Sequence, residues 1–163
     1  MLHKLRFFVI ILVIAGTKVF VGTEEPSIHG TKKADSVFQT SDGLAINGYD
    51  PIAYFQQQKP VKGKKEFHHR WMGATWRFVS AENRDLFAQN PEQYAPQYGG
   101  YCAYGMSFGY AAPTLPEAWS VVEGKLYLNY NLEIRKMWNQ DIPGFIVKAD
   151  VNWPKIPKKP MEE

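Results

Sequence analysis

The sequence lacks several residue types and patterns, and each absence limits what the protein can be. A single cysteine in 163 residues excludes an internal disulfide framework. No heptad pattern, Gly-X-Y period or internal repeat is present, which excludes coiled coils, collagen and solenoids. Hydrophobic residues make up 45% of the chain and aromatic residues 15%, too many for a disordered polymer. The length then predicts one globular domain that can bury a core.

Catalytic motifs are also missing. There is no G-x-S-x-G, no Gly-rich phosphate loop before a helix, and no serine beside a base. Four polar residues are predicted to be helix N-caps, a role that accounts for them without any catalytic function: Asp50, Ser80, Asn131 and Asp141. The sequence therefore favours a binding protein over an enzyme.

The N-terminus is typical of a secretory signal. Lys4 and Arg6 precede an unbroken apolar run over residues 7–15. A membrane-spanning helix needs ~20 apolar residues, and Lys18 interrupts the run before that length. We expect residues 1–22 to be a signal peptide, or an N-terminal anchor if it is not cleaved, and the protein to be periplasmic or secreted.

The formal net charge of +3 belongs to this leader. Removing its three cations from the 19 in the chain leaves 16, equal to the 16 acids. A balanced mature chain gives no reason to expect a nucleic-acid partner. Contact with a membrane is expected only through an uncleaved N-terminal segment.

The rest of the chain divides by composition. Residues 23–41 are polar and are predicted to be a linker, residues 42–153 a domain, and residues 154–163 a tail. A short strand is predicted over residues 44–46. Two hairpins are predicted further along the domain, with turns at Met72–Gly73 and Glu123–Gly124. Hairpins and short capped helices without βαβ units predict an α+β fold, with small antiparallel hairpins packed against the helices.

Two segments carry a resemblance to a known family. Gly48–Phe55 (GYDPIAYF) resembles the D-P-V-C-G-M opening of the YHS domain, and Trp76–Phe87 (WRFVSAENRDLF) resembles its Y-Y-F-C-S-x-x-C-x-x-x-F. Asn90–Tyr94 fits the P-E-x-Y that follows. The resemblance covers about residues 45–94 and implies a YHS-like single domain with a metal-related binding role.

The departures from that family concern its metal ligands. The positions that hold cysteines in metal-binding members are Ala53, Val79 and Asn83 in this chain. Alanine and valine cannot coordinate a metal, and a neutral amide is a poor substitute for a thiolate. The resemblance therefore implies a fold and leaves metal binding open.

Cys102 is the residue on which any remaining chemistry depends. It follows Gly99 and Gly100, and a helix beginning at Tyr101 would lower the pKa of its thiol. Met106 lies one helical turn further on. Together with a histidine, this pair would suit Cu(I), a soft ion that tolerates low coordination numbers.

His69 is the histidine we assign to this set, because it shares a strand face with Phe67 and Trp71, whereas His68 faces the other way. The predicted metal site is thus Cys102, Met106 and His69, with copper as the candidate ion.

Other readings stay open. Cys102 could be an inert buried thiol in a non-metal interaction or structural module, with a protein partner or small ligand held near Gly99–Tyr104. The many tyrosines and tryptophans form either a rich core or an aromatic pocket around residues 98–110. A redox role for Cys102 would need an external thiol, since no second cysteine is present.

Overall fold

A computed structural model describes Val37, Thr40 and residues 42–156. The predicted signal segment 1–22 and residues 157–163 of the predicted tail lie outside the described residues, as does the predicted linker 23–41 apart from Val37 and Thr40.

Two antiparallel hairpins supply the strands. Strands β1 (Lys64–Trp71) and β2 (Ala74–Phe78) form one two-stranded sheet, and β3 (Leu115–Val122) and β4 (Lys125–Asn129) form the other. Both turns place their two central residues in the left-handed region, Met72 and Gly73 at φ 49° and 73°. Paired positive φ values match the twist of the flanking strands, so the predicted hairpin turns are confirmed.

Short helices fill the chain between and after the hairpins. They are α1 (Pro51–Gln56), α2 (Ala81–Gln89), α3 (Pro91–Tyr94), α4 (Ala103–Ser107), α5 (Leu132–Trp138) and α6 (Ile142–Asn152). Three 3-10 turns complete the structure, at Ile46–Gly48, Gln97–Gly100 and Trp153–Lys155.

The helices begin where polar caps predict. Asp50, Ser80, Asn131 and Asp141 each accept a hydrogen bond from a backbone N–H in the first turn of the helix that follows. The cap side chain satisfies a donor that the helix leaves unpaired, which fixes the start of α1, α2, α5 and α6.

One predicted strand is wrong. Residues 44–46 were expected to form a short strand, but Leu44 makes only an isolated bridge to Thr75, and Ile46 begins a 3-10 turn. Ile46 and Asn47 have φ values of 41° and 58°, so the backbone leaves the extended region after one pairing.

The core consists of two clusters that meet at β4. The first is built around Trp76, Phe78 and Phe87, and the second around Tyr98, Met106 and Trp138. Leu126 and Leu128 belong to the first cluster and Tyr127 to the second. Successive side chains of a strand point to opposite faces, so β4 is buried on both sides.

These elements form a single α+β domain, as the sequence predicts. Within the described residues, no helix has the length and apolar character needed to cross a membrane.

Candidate functional site

The Cys102 thiol is enclosed by backbone. The residue is 1% exposed and is the N-cap of α4. Its Sγ accepts hydrogen bonds from the N–H groups of Gly105 and Tyr130, both at 3.3 Å. The thiol lies 3.7 Å from Oδ1 of Asn129, to which it donates. Sulfur here replaces the oxygen of an ordinary cap and ties α4 to the end of β4.

The acidity of this thiol differs from the sequence expectation. The helix begins at Ala103 rather than Tyr101. Burial raises the pKa of Cys102, and the N–H groups of Gly105 and Tyr130 oppose this without reversing it. The expected lowering of the pKa is therefore wrong, and the thiol stays protonated near neutral pH, a form that is a poor nucleophile and a poor metal ligand.

The three predicted metal donors lie in different surroundings. Met106 is fully buried in the second core cluster, one turn after Cys102. His69 is half-buried on β1, with its ring edge-on to Phe87 of the first cluster at 6.2 Å between centroids. The predicted face of β1 is thus confirmed, but His69 packs in a different cluster from Met106.

The family's cysteine positions surround a buried carboxylate. Asp50 is fully buried, and its Oδ2 accepts hydrogen bonds from the Val79 N–H at 2.9 Å and the Asn83 amide at 2.7 Å. Its Oδ1 accepts from the Ile52 N–H at 2.8 Å. Two of the three positions, Val79 and Asn83, therefore serve as donors to a carboxylate that joins α1, β2 and α2. Among the described residues, no group of three or more His, Cys, Asp or Glu side chains could hold a metal ion.

A pocket of about 300 Å³ opens beside the 3-10 turn at residues 97–100. We call it the Tyr98 pocket. Its aromatic walls and charged residues are Trp71, Trp76, Tyr98, Trp153, Glu92, Asp150 and Lys125. These residues come from both hairpins, from α3 and from the C-terminal helix and turn, so the pocket exists only in the folded domain.

Tyr98 is held firmly at the base of this pocket. Its backbone is left-handed, with φ 56°, and Gly99 follows at φ 62°. A left-handed conformation is costly for a bulky residue and has to be maintained by its surroundings. The hydroxyl of Tyr98 donates to Oδ1 of Asp150 at 3.0 Å, across 52 residues of sequence. Burial and the charge of Asp150 raise the pKa of Tyr98, so the phenol stays protonated and the bond persists.

The neighbouring rings make the walls rigid. Trp71 and Trp76 pack at 5.8 Å between centroids, and the indole N–H of Trp76 donates to the Trp71 carbonyl at 3.1 Å. Tyr98 and Trp153 pack nearly edge-on at 6.3 Å. Aromatic pairs in these geometries are stabilising and restrict ring motion.

A second, more open cleft of about 460 Å³ is lined by residues of β3, α1, α5 and α6. Arg135 lies in it above the ring of Trp119, 5.9 Å from the centroid, and its Nε donates to the Ser120 hydroxyl at 3.0 Å. In the described part of the chain, three aromatic residues and one charged residue line this cleft, which therefore has fewer charged groups than the Tyr98 pocket.

The fold and the pocket define a small α+β domain with a preformed aromatic cavity. Residues 52–98 match the YHS domain family, so the chain contains a YHS domain over that segment. Neither a curated protein nor a solved structure gives a significant match to the chain. The match ends at Tyr98, so Cys102 and Met106 follow it, whereas His69 lies within it.

The Tyr98 pocket lies at the junction between the matched segment and the residues that follow. Trp71, Trp76 and Glu92 come from the YHS segment, and Lys125 and Asp150 come from the later part of the chain. A pocket near Gly99–Tyr104 is predictable from the sequence, whereas the part that Asp150 plays in it is not. An exposed aspartate on an amphipathic helix gives no local signal of a partner 52 residues away.

Proposed function

We propose that this protein is a non-metal binding module that holds a small ligand in the Tyr98 pocket, with Cys102 as a structural thiol. The observation that carries the proposal is a cavity of about 300 Å³ with rigid aromatic walls and a few charged groups. Ligand sites are usually concave, largely preformed and lined by apolar and aromatic side chains with a small number of polar groups.

The strain at Tyr98 supports the same proposal. Non-glycine residues in the left-handed region persist where surrounding contacts hold them, and such residues concentrate at binding sites. Here the contact that holds the residue is the Asp150 hydrogen bond, which also belongs to the pocket wall. The pocket lining, as far as the structure describes it, holds no Ser, Cys or His side chain, and the raised pKa of Tyr98 keeps its phenol protonated although it is bonded to Asp150, which favours binding over catalysis.

A fragment screen by amide NMR on the full-chain protein tests the proposal. A mixed set of neutral, cationic and anionic fragments should produce shifts that cluster at Trp71, Tyr98 and Asp150. Gln97→Trp, which adds bulk to a half-buried lining residue, should abolish those shifts. Val121→Trp adds the same side chain at the second cleft and should leave them intact. Shifts that never involve these residues, or that survive Gln97→Trp, would contradict the proposal.

The family resemblance implies a metal-related role, and in this chain soft-metal handling would depend on Cys102. The donors do not fit it well, because the Cys102 sulfur is covered and already accepts two N–H bonds, and His69 packs against Phe87. Copper binding stays a prediction, tested by titrating Cu(I) into wild type and Cys102→Ala. Tight binding that is lost in the variant would establish the metal function, whereas equal and weak binding by both would exclude Cys102 as the anchor.

The accessibility of the Cys102 thiol distinguishes a redox role from a structural one. Because Cys102 is buried and its pKa is raised, we expect a maleimide to label it in unfolded protein at least about a hundredfold faster than in native protein at neutral pH. Equal rates in the two states would contradict the structural role that we assign to the sulfur.

We also propose that the chain is exported, on the strength of the basic and apolar N-terminal sequence. Fractionation of cells that express the full chain with a C-terminal tag should recover it outside the cytoplasm. Intact mass spectrometry would show whether residues near position 22 have become the N-terminus. Recovery in the cytoplasm with Met1 or Leu2 still in place would contradict export.

A further inference from the structure

We propose that the ligand of the Tyr98 pocket is a small organic cation with a methylated ammonium head group. This inference rests on the proposed function and specifies the chemistry of its ligand. It is drawn from the combination of ring walls with an excess of negative charge in one cavity.

The ring walls supply the first part of the argument. Trp71, Trp76, Tyr98 and Trp153 all line the cavity, as two packed pairs: Trp71 with Trp76 in the first hairpin, and Tyr98 with Trp153 of the C-terminal turn. Trp76 and Tyr98 are almost fully buried, so the half-buried Trp71 and Trp153 present most of the accessible ring surface. The face of an aromatic ring is negative and attracts a cation placed over it, most strongly for tryptophan. Walls of tryptophan and tyrosine are the usual surroundings of quaternary ammonium groups in proteins.

The charged groups supply the second part. Glu92 and Asp150 are exposed carboxylates and Lys125 is an exposed ammonium, so the pocket carries one net negative charge. Only one Asp150 oxygen receives the Tyr98 hydroxyl, and the charge of this carboxylate remains on the pocket wall. An organic anion would meet both carboxylates, whereas a cation gains from each of them.

The same features argue against a metal ion as the cation. Hard metal ions require several oxygen ligands, and the described residues contain no group of three or more potential His, Cys, Asp or Glu ligands. A fully methylated, quaternary ammonium group has no N–H to donate and is weakly hydrated, so it can leave water for an aromatic cavity with few polar contacts. Lys125 also accommodates a ligand that carries an anionic group beyond its ammonium head.

Choline and its uncharged analogue 3,3-dimethylbutan-1-ol, which has the same shape, test the inference. Titrations of the full-chain protein followed by amide NMR should show choline shifting Trp71, Tyr98 and Asp150, with the neutral analogue binding about tenfold more weakly. Asp150→Asn keeps an oxygen that accepts from Tyr98 but removes the charge, and should weaken choline about three- to tenfold. Glu92→Gln should weaken it by a smaller factor, and Glu117→Gln, on β3 outside the pocket, should have no effect.

The outcomes separate this inference from the proposed function. If the neutral analogue binds as tightly as choline, or if Asp150→Asn has no effect on choline, the pocket binds ligands without selecting cations. If fragments bind at the pocket but choline does not, the cation proposal fails and the binding module remains. If neither choline, nor its analogue, nor any fragment shifts the pocket residues, both fail.

Discussion

Asp50 and Cys102 are the two buried side chains whose sequence context most suggests chemistry, and both act as hydrogen-bond acceptors for the backbone. Each is the N-cap of a helix, and each also reaches a residue 27 or more positions away. A buried acceptor that satisfies several donors is expensive to remove, because the donors remain buried without partners. Their importance is therefore measured in folding stability rather than in reactivity.

Asp50→Asn should destabilise the domain strongly. Asparagine has one oxygen where aspartate has two, so in either orientation its NH2 group would face a buried donor, either the Ile52 N–H or the Val79 N–H and the Asn83 amide. At about 1–3 kcal/mol for each unsatisfied donor, the loss of one or two acceptors should lower the free energy of unfolding by about 1–6 kcal/mol in urea titrations.

Asp141→Asn is the matched control, since Asp141 is an exposed N-cap with one bond to Gly144. Asparagine and aspartate are equivalent caps, so this variant should change stability by less than about 0.5 kcal/mol. Similar losses for the two variants would show that the Asp50 network adds nothing beyond capping.

The loss of stability on replacing Cys102 should depend on whether the new side chain can still accept a hydrogen bond. Cys102→Ala leaves the N–H groups of Gly105 and Tyr130 without this partner. Because the Tyr130 N–H is only partly buried and sulfur is a weak acceptor, the two losses together should cost about 1–3 kcal/mol of unfolding free energy. Cys102→Ser keeps a cap oxygen and should cost less. If chemical denaturation shows serine to be the more harmful substitution, the hydrogen bonds to sulfur do not stabilise α4.

The elements show which parts of the fold a local pattern can predict. Caps and two-residue turns depend on neighbouring residues, so the starts of α1, α2, α5 and α6 and both hairpin turns were predictable. The left-handed backbone of Ile46 and Tyr98 was not predictable, because packing against distant parts of the chain imposes that conformation on a bulky residue. Cys102 as a cap was also missed, since sulfur is not a usual capping atom.

Gly63 gives an element-level test of close packing between the strands. A Cβ on Gly63 would lie 2.4 Å from the carbonyl carbon of Arg77, at the irregular end of the first hairpin. Gly63→Ala should therefore cost about 3 kcal/mol of unfolding free energy, because backbone atoms must move apart.

The comparison is with Gly124→Ala in the second hairpin, where a Cβ would meet nothing within 4 Å and only the φ of 73° is unfavourable. That substitution should cost about 1 kcal/mol. A smaller loss at Gly63 than at Gly124, measured by thermal or urea unfolding, would contradict the close approach.

At the scale of the whole molecule, the candidate site was only partly predictable. The sequence indicated that aromatic residues near position 98 form either a core or a pocket, and the structure contains both, since Tyr98 packs in the second cluster and lines the cavity. The charge of the pocket could not be foreseen. It depends on the folding of α3, β4 and α6 around one cavity, which no local pattern encodes.

Buried acids across the whole domain predict a loss of stability in alkali. Burial raises the pKa of Cys102 above its ordinary value of 9.0 and that of Tyr54, Tyr98, Tyr101 and Tyr127 above 10.0. The unfolded chain therefore releases these protons first, and the free energy of unfolding should fall steadily as the pH rises above about 9.

Urea unfolding between pH 8 and pH 11 checks this slope. Tyr98→Phe removes one of the shifted groups, so its stability should decline less steeply than that of wild type above pH 10, whatever its stability at pH 8. A profile that is flat to pH 11, or slopes that are identical in the two proteins, would contradict the burial of these groups as a cause.

The burial of strand β4 on both faces has a consequence for how the domain unfolds. Leu126 and Leu128 pack in the first cluster and Tyr127 packs in the second. If the strand shifted by one residue, Tyr127 would point into the first cluster and the two leucines into the second. Only one register of β4 therefore packs both clusters, and loss of packing in one cluster disrupts packing in the other. The protein should therefore melt in one cooperative transition.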